Sequence, residues 1–243
     1  NGLKNRQEEA IESVLDHTGS FTIAALPTGF GKTRIAQSAT WCLRRQGNGP
    51  TLMISPLISL MDDQRHQFEE FSKDLQSQKG LEIGGRPTLE TAFLTVAEKR
   101  HKLSLMSQMK NNELDLLCCS PETLMSWSEG QMWIDSLTRA RRPPSLLVID
   151  EAHIIGDWGA SIRPDFQLLG WIKTRLLQAN PDLRILLMSA TISSEEEKEL
   201  KQLFSGGFPN NHKVIRVPKT RPDLYFHVET YEHDPNDPSA LDP

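Results

Sequence analysis

Short unbroken apolar runs alternate along this chain with longer stretches in which apolar residues recur every three or four positions. Runs at 21–25, 51–55, 91–96, 114–120, 146–149, 184–188 and 213–217 predict strands. Runs without polar alternation, such as 146–149, are the mark of strands covered on both faces. Helical spacing is read over 3–15, where Leu3, Ala10, Ile11, Val14 and Leu15 stand among charges with Asn5 as a cap. Further helices are predicted over 34–45, from 56 to about 75, over 97–111 and after Pro121. Strand followed by helix, repeated, predicts an α/β fold with a doubly wound, mainly parallel sheet and its chemistry at the C-terminal ends of the strands. Between 76 and 90 the pattern gives way to Ser, Gln, Gly, Arg and Pro, which predicts a surface loop or short insertion. Residues 1–227 are expected to form one domain and 228–243 a linker.

Composition narrows the picture. With 243 residues, 37% hydrophobic and 24% charged, the chain can bury a sizeable core. Its formal net charge of -5 attracts no polyanion as a whole, so nucleic-acid binding would need a local basic or polar surface. The densest basic run, Arg139-Ala140-Arg141-Arg142 before Pro143-Pro144, reads as a solvated loop. Cys42, Cys118 and Cys119 lack the spacing of a zinc site. Adjacent Cys118 and Cys119 are expected to face opposite sides of one strand, in a reducing compartment. No leader or membrane-spanning run is visible, so the expectation is a soluble intracellular protein, cytoplasmic if bacterial. Asn1 and the Pro/Asp-rich end suggest a piece of a longer protein.

The candidate chemistry lies in two motifs. Pro27-Thr28-Gly29-Phe30-Gly31-Lys32-Thr33 follows a strand and opens a helix, as a phosphate-binding loop does, although Leu26 stands where the first Gly of the usual pattern would be. Lys32 would reach the β- and γ-phosphates and the Thr33 hydroxyl would sit on Mg²⁺. Asp150-Glu151 follows a buried strand 118 residues past Lys32 (150 minus 32). Asp150 suits the Mg²⁺ side of a triphosphate, and Glu151 can orient and deprotonate the attacking water. Each motif alone also fits a solvated turn, and their pairing makes the nucleotide reading. His153 is expected to touch Ser189 or Thr191 on a neighbouring strand and to couple nucleotide state to the rest of the molecule, rather than to catalyse. Gln7, one helix and one strand before the phosphate loop, is either a solvated glutamine or part of the site.

Together, Pro27 to Thr33, Ser55-Pro56-Leu57-Ile58-Ser59-Leu60-Met61-Asp62-Asp63-Gln64, Asp150-Glu151-Ala152-His153 and Ser189-Ala190-Thr191 resemble motifs I, Ia, II and III of superfamily-two helicases. The second stretch and residues 153–166 are similar to RecQ-like enzymes in particular. The resemblance implies the first RecA-like lobe of an ATP-dependent DNA helicase that uses ATP and Mg²⁺. It works with a second RecA-like lobe and travels 3′ to 5′ on DNA, single-stranded or at single/double-strand junctions. It implies that Gln7 reads adenine and that Lys4 stands where the family usually has Arg. It places Ser55, Pro56 and Thr95 along the nucleic-acid path and makes Trp158, Arg163 and Phe166 sensors of single-stranded DNA, with a core-packed Trp158 as the alternative. Phe30 departs from the family's Gly, and Ala160, Ser161 and Ile162 from its His-Asp-Phe. An isolated lobe is expected to bind nucleotide weakly and hydrolyse it poorly. An RNA helicase, a translocase that separates no strands and a nucleotide-gated binding module are the alternatives.

Overall fold

Seven strands, all parallel in their pairings, run in the order β3-β4-β2-β5-β6-β1-β7. They are β1 (Phe21–Ala25), β2 (Thr51–Ile54), β3 (Thr91–Leu94), β4 (Leu116–Cys119), β5 (Leu146–Ile149), β6 (Arg184–Ser189) and β7 (His212–Arg216). The helices are α1 (Asn5–Asp16), α2 (Lys32–Arg45), α3 (Ile58–Gln76), α4 (Lys102–Lys110), α5 (Pro121–Met125), α6 (Trp127–Thr138), α7 (Leu169–Ala179) and α8 (Ser194–Ser205). This computed structural model describes residues 3–16, 20–56, 58–77, 82–83, 86, 88–94, 102–125, 127–155, 169–205, 212–217 and 227.

Alternation along each strand sends successive side chains to opposite faces, and both faces are covered. Phe21, Ile23, Leu52, Ile54, Leu147 and Ile149 pack with Trp133, Ile134, Leu137, Ile172, Leu176 and Phe204, which α6, α7 and α8 supply. Ala24, Met53, Val148, Leu186 and Met188 pack on the other side against Ala10, Ile35, Ala39, Met61 and Phe68, from α1, α2 and α3. Cys119 belongs to the first layer and Cys118 to the second, so the two thiols do face opposite ways.

All seven expected strands are present, with β2 and β4 shorter and β6 one residue longer than expected, while α7 and α8 are not among the expected helices. Two local readings change. Asn5 is the first helical residue rather than the cap, because Lys4 accepts the first helical bond from the Glu8 N–H (3.1 Å). The stretch expected to be a surface insertion is partly internal: Ile83 and Leu89 are buried in the second layer, and Ile83 forms a short antiparallel bridge with Arg86. Among the described residues no helix is long and apolar enough to cross a membrane.

Parallel pairing gathers every strand's C-terminal end on one side. Leu26 N–H donates to Ser189 O (2.9 Å), Asp150 N–H to Ile54 O (2.9 Å) and Ser55 N–H to Cys119 O (3.0 Å). The ladder thus continues one residue beyond β1, β2 and β5 and brings the motifs that follow them to one rim.

Candidate nucleotide site

The phosphate-loop side begins where β1 ends. Phe30 N–H closes a turn on Pro27 O (3.0 Å), and Gly29 and Gly31 take φ values of 75° and 89°. Those angles belong to glycine, since a Cβ there meets the backbone. At Gly31 a Cβ would also stand 2.5 Å from Gln7 Nε2. Gly31 is the N-cap of α2 and offers no side-chain oxygen, so the first N–H groups of the helix have no side-chain cap. Lys32 Nζ donates to Leu26 O (3.2 Å), which lays the ammonium along the loop.

Gln7 is buried and all its amide functions are engaged. Its Oε1 accepts the Lys4 N–H (2.8 Å), the returning half of a capping box from the third helical position. Its Nε2 donates to Phe30 O (3.0 Å) and Gly31 O (3.1 Å). Lys4 Nζ lies 4.5 Å from the centre of the Phe30 ring, a cation–π contact. Phe30, the departure from the family's Gly, is thus gripped from α1 through both its carbonyl and its ring.

Across the cleft, Asp150 stands just past β5 and is nearly covered. Burial pushes its carboxyl up to about 6, and the charge of Glu151 adds to this. A Glu151 backbone bond, Lys32 and Gln64 pull the other way. Gln64 Nε2 donates to Asp150 Oδ2 (2.5 Å), and the Cys118 thiol donates to Gln64 Oε1 (3.6 Å), which fixes the amide's orientation. Glu151 holds a φ of 48°, a left-handed conformation that costs a non-glycine residue about 1–2 kcal/mol. Its carboxylate lies 3.4 Å from His153 Nδ1. Ser189 Oγ donates its single proton to Thr191 O (2.6 Å), so it accepts from His153 Nδ1 at 2.9 Å. That assignment puts a proton on Nδ1, facing both Ser189 and Glu151.

The cleft between the two sides is about 200 Å³, with Gly29, Gly31, Lys32 and Thr33 on one wall and Asp63, Gln64, Asp150 and Glu151 on the other. Backbone N–H groups and an ammonium oppose carboxylates, an arrangement suited to a phosphate chain with a cation between. Thr33 and Asp150 are oxygen donors of the kind Mg²⁺ takes. Among the described residues no group of three His, Cys, Asp or Glu could hold a metal by itself. Their donor set therefore fits a cation shared with phosphate and water.

The sequence-predicted residues Lys4, Gln7, Gly29, Phe30, Gly31, Lys32, Thr33, Asp150, Glu151, His153, Ser189 and Thr191 lie along this rim. Pro27 and Thr28 form the turn that carries them. Ser55 and Pro56 end β2 on the same rim, but both are buried, and Ser55 Oγ has no hydrogen-bond partner. Thr95, Trp158, Arg163 and Phe166 lie outside the described residues. Gln64 was not among the candidates singled out. Its signal was present: the helical stripe Met61, Gln64, Phe68, Phe71, Leu75 has one polar member, and a buried amide needs partners.

A family model described as DEAD/DEAH box helicase matches residues 4–200. Over 228 residues the chain is 33% identical to RecS of Bacillus subtilis, covering 93% of this chain and 39% of that protein. It is 30% identical over 228 residues to the ATP-dependent DNA helicase RecQ of Haemophilus influenzae, covering 93% of this chain and 31% of that one. The chain thus spans well under half the length of these curated relatives. Among solved structures, the Mycobacterium smegmatis helicase Lhr bound to ssDNA and AMP-PNP superposes with a TM-score of 0.64 at 21% identity. That superposition covers 89% of this chain and 26% of Lhr.

Proposed function

Because the chain belongs to the DEAD/DEAH box helicases, we propose that it is the ATP-hydrolysing RecA-like lobe of a RecQ-like DNA helicase. The observation that carries this reading is the single cleft in which Lys32 and Thr33 face Asp150 and Glu151. In it, Lys32 exchanges the Leu26 carbonyl for the β- and γ-phosphates, and the uncapped N–H groups of α2 hold the phosphate oxygens. Thr33 and Asp150 would hold Mg²⁺, which would supply positive charge against the phosphates. Glu151 orients the attacking water and accepts its proton. His153, hydrogen-bonded to Ser189 and 3.4 Å from that carboxylate, links the two, so that movement on β6 is felt at the base. Gln7 and Lys4 read the adenine, Gln7 exchanging its bonds to the Phe30 and Gly31 carbonyls for bonds to the base.

Gln64 is a positioning residue: it aims Asp150 and joins α3, which leaves the Ser55–Pro56 turn, to the metal side of the cleft. The substrate is DNA, single-stranded or at junctions, gripped by Thr95, Trp158, Arg163 and Phe166, with the buried Ser55 and Pro56 shaping the turn beneath it. A second RecA-like lobe completes the ATP site, and travel is 3′ to 5′. Residues 1–227 form the lobe and 228–243 lead toward its partner.

The test is ATP hydrolysis by the protein that carries this chain, with no nucleic acid, with single-stranded DNA and with single-stranded RNA, beside Glu151→Gln. The expected outcome is stimulation by DNA that falls at least about a hundredfold in the variant. Equal rates in all three conditions would refute a DNA-driven motor, and stimulation by RNA alone would reassign the substrate.

A further inference from the structure

In a parallel sheet every strand start lies at the end away from the phosphate loop. There the segments entering β2, β3, β4 and β5 enclose a cavity of about 360 Å³, lined by Arg44, Arg45, Arg86 and Arg142 with Ile83 and Asn112. Among the described residues Arg44 and Arg86 face two carboxylates, the fully buried Asp115 and the half-exposed Glu90, 3.8 Å from Arg86, while Arg142 meets a carbonyl and no carboxylate. The excess is positive in a chain whose net charge is -5.

The guanidiniums are held in place. Arg44 Nε donates to Asp115 Oδ1 (2.7 Å), and its Nη1 to Asn48 O (2.6 Å) and Asn112 Oδ1 (2.8 Å). Arg86 Nη2 reaches both Asp115 oxygens (3.1 and 3.3 Å). Arg142 Nη1 donates to Gly47 O (2.6 Å), and Arg45 lies 4.9 Å over the Trp41 ring. Like charges so crowded repel one another, and an anion among them relieves the repulsion. Side chains already oriented lose little freedom when they bind it. The basic surface continues outward: Arg141 N–H donates to Lys110 O (3.3 Å), and Arg139, Arg141 and Arg142 are exposed.

We propose that this cavity is a second phosphate site, which grips the backbone of the nucleic acid on the side of the lobe remote from the ATP cleft. The inference rests on the reading that DNA is the partner. Guanidinium forks match phosphate oxygens, and a basic track running on from a cavity suits successive phosphates better than one small anion. The solvated basic loop of the sequence supplies the track, and Arg142 ties it to the cavity.

The test is fluorescence anisotropy of a labelled junction DNA with the full chain, from about 50 to 200 mM salt, comparing wild type with Arg45→Gln/Arg142→Gln. Both side chains are at the surface, and neither touches the nucleotide cleft. The variant is expected to bind DNA about tenfold more weakly at the low-salt end, with a log–log salt slope shallower by about 1.5. Binding of a fluorescent ATP analogue should be unchanged. Unchanged DNA affinity and slope, with wild type binding DNA, overturn this inference alone. A wild type that binds no DNA overturns it together with the proposed function. Inorganic phosphate that shifts the arginine side-chain NMR signals, while variant and wild type bind DNA equally, assigns the cavity to free anion and overturns the backbone site.

Discussion

With its carboxyl raised to about 6 by burial and by Glu151, Asp150 is ionised at neutral pH against the preference of its surroundings. Its folded value lies above the ordinary 3.8, so the contribution to stability is fully present below about 3.8 and is lost as pH rises through 6. Above that, the charge costs on the order of 3 kcal/mol, from two pH units at 1.36 kcal/mol each. In EDTA, Asp150→Asn should therefore raise the denaturant midpoint at pH 7.5 and raise it less at pH 5, and with Mg²⁺ present it should abolish ATP hydrolysis. A midpoint that falls at pH 7.5 would contradict the origin given to the shift. Gln64→Met leaves the carboxylate present but unaimed. The expected result is a several-fold higher Mg²⁺ concentration for half-maximal binding of a fluorescent nucleotide, with binding in EDTA unchanged. An equal fall in both would make Gln64 merely structural.

The elements that enclose the arginine-lined cavity meet at Asp115, which takes bonds from Arg44 on α2, from Arg86 and from the Glu90 N–H (2.8 Å). Removing that charge leaves Arg44 buried and unpaired. Asp115→Asn should cost about 3–5 kcal/mol in denaturant unfolding, whereas the surface change Arg142→Gln should cost under about 1 kcal/mol. These elements also show what could be read beforehand. The strands were legible because burial on both faces writes an unbroken apolar run, and the phosphate loop because its chemistry sits in seven consecutive residues. The cap is Lys4 and not Asn5, one position earlier than expected, since the reciprocal bond from Gln7 decides which is the cap. Ile83 and Leu89 lie in a stretch without period, and only the tertiary contacts bury them. Asp115 and the arginines that line the cavity come from four segments, and no single window contains the cluster.

At the scale of the molecule, the two core layers keep their thiols from chemistry. Cys118 and Cys119 are fully covered, and burial raises both thiols well above the ordinary range, while half-buried Cys42 is raised less. Ellman's reagent at pH 8 should titrate Cys42 slowly in the native protein and all three cysteines in guanidinium. Rapid native reaction of two or three would contradict the packing of β4. The parallel sheet itself has one further consequence. Turns that leave the strands carry the candidate nucleotide site, while turns that enter them stand about 13–20 Å away across strands of four to six residues. Such a lobe can be re-equipped at one pole without being retuned at the other. If the lobe drives the proposed helicase, a loop grafted onto a strand entrance would change what the motor holds and leave its stroke alone; the same graft at a strand exit would stop it.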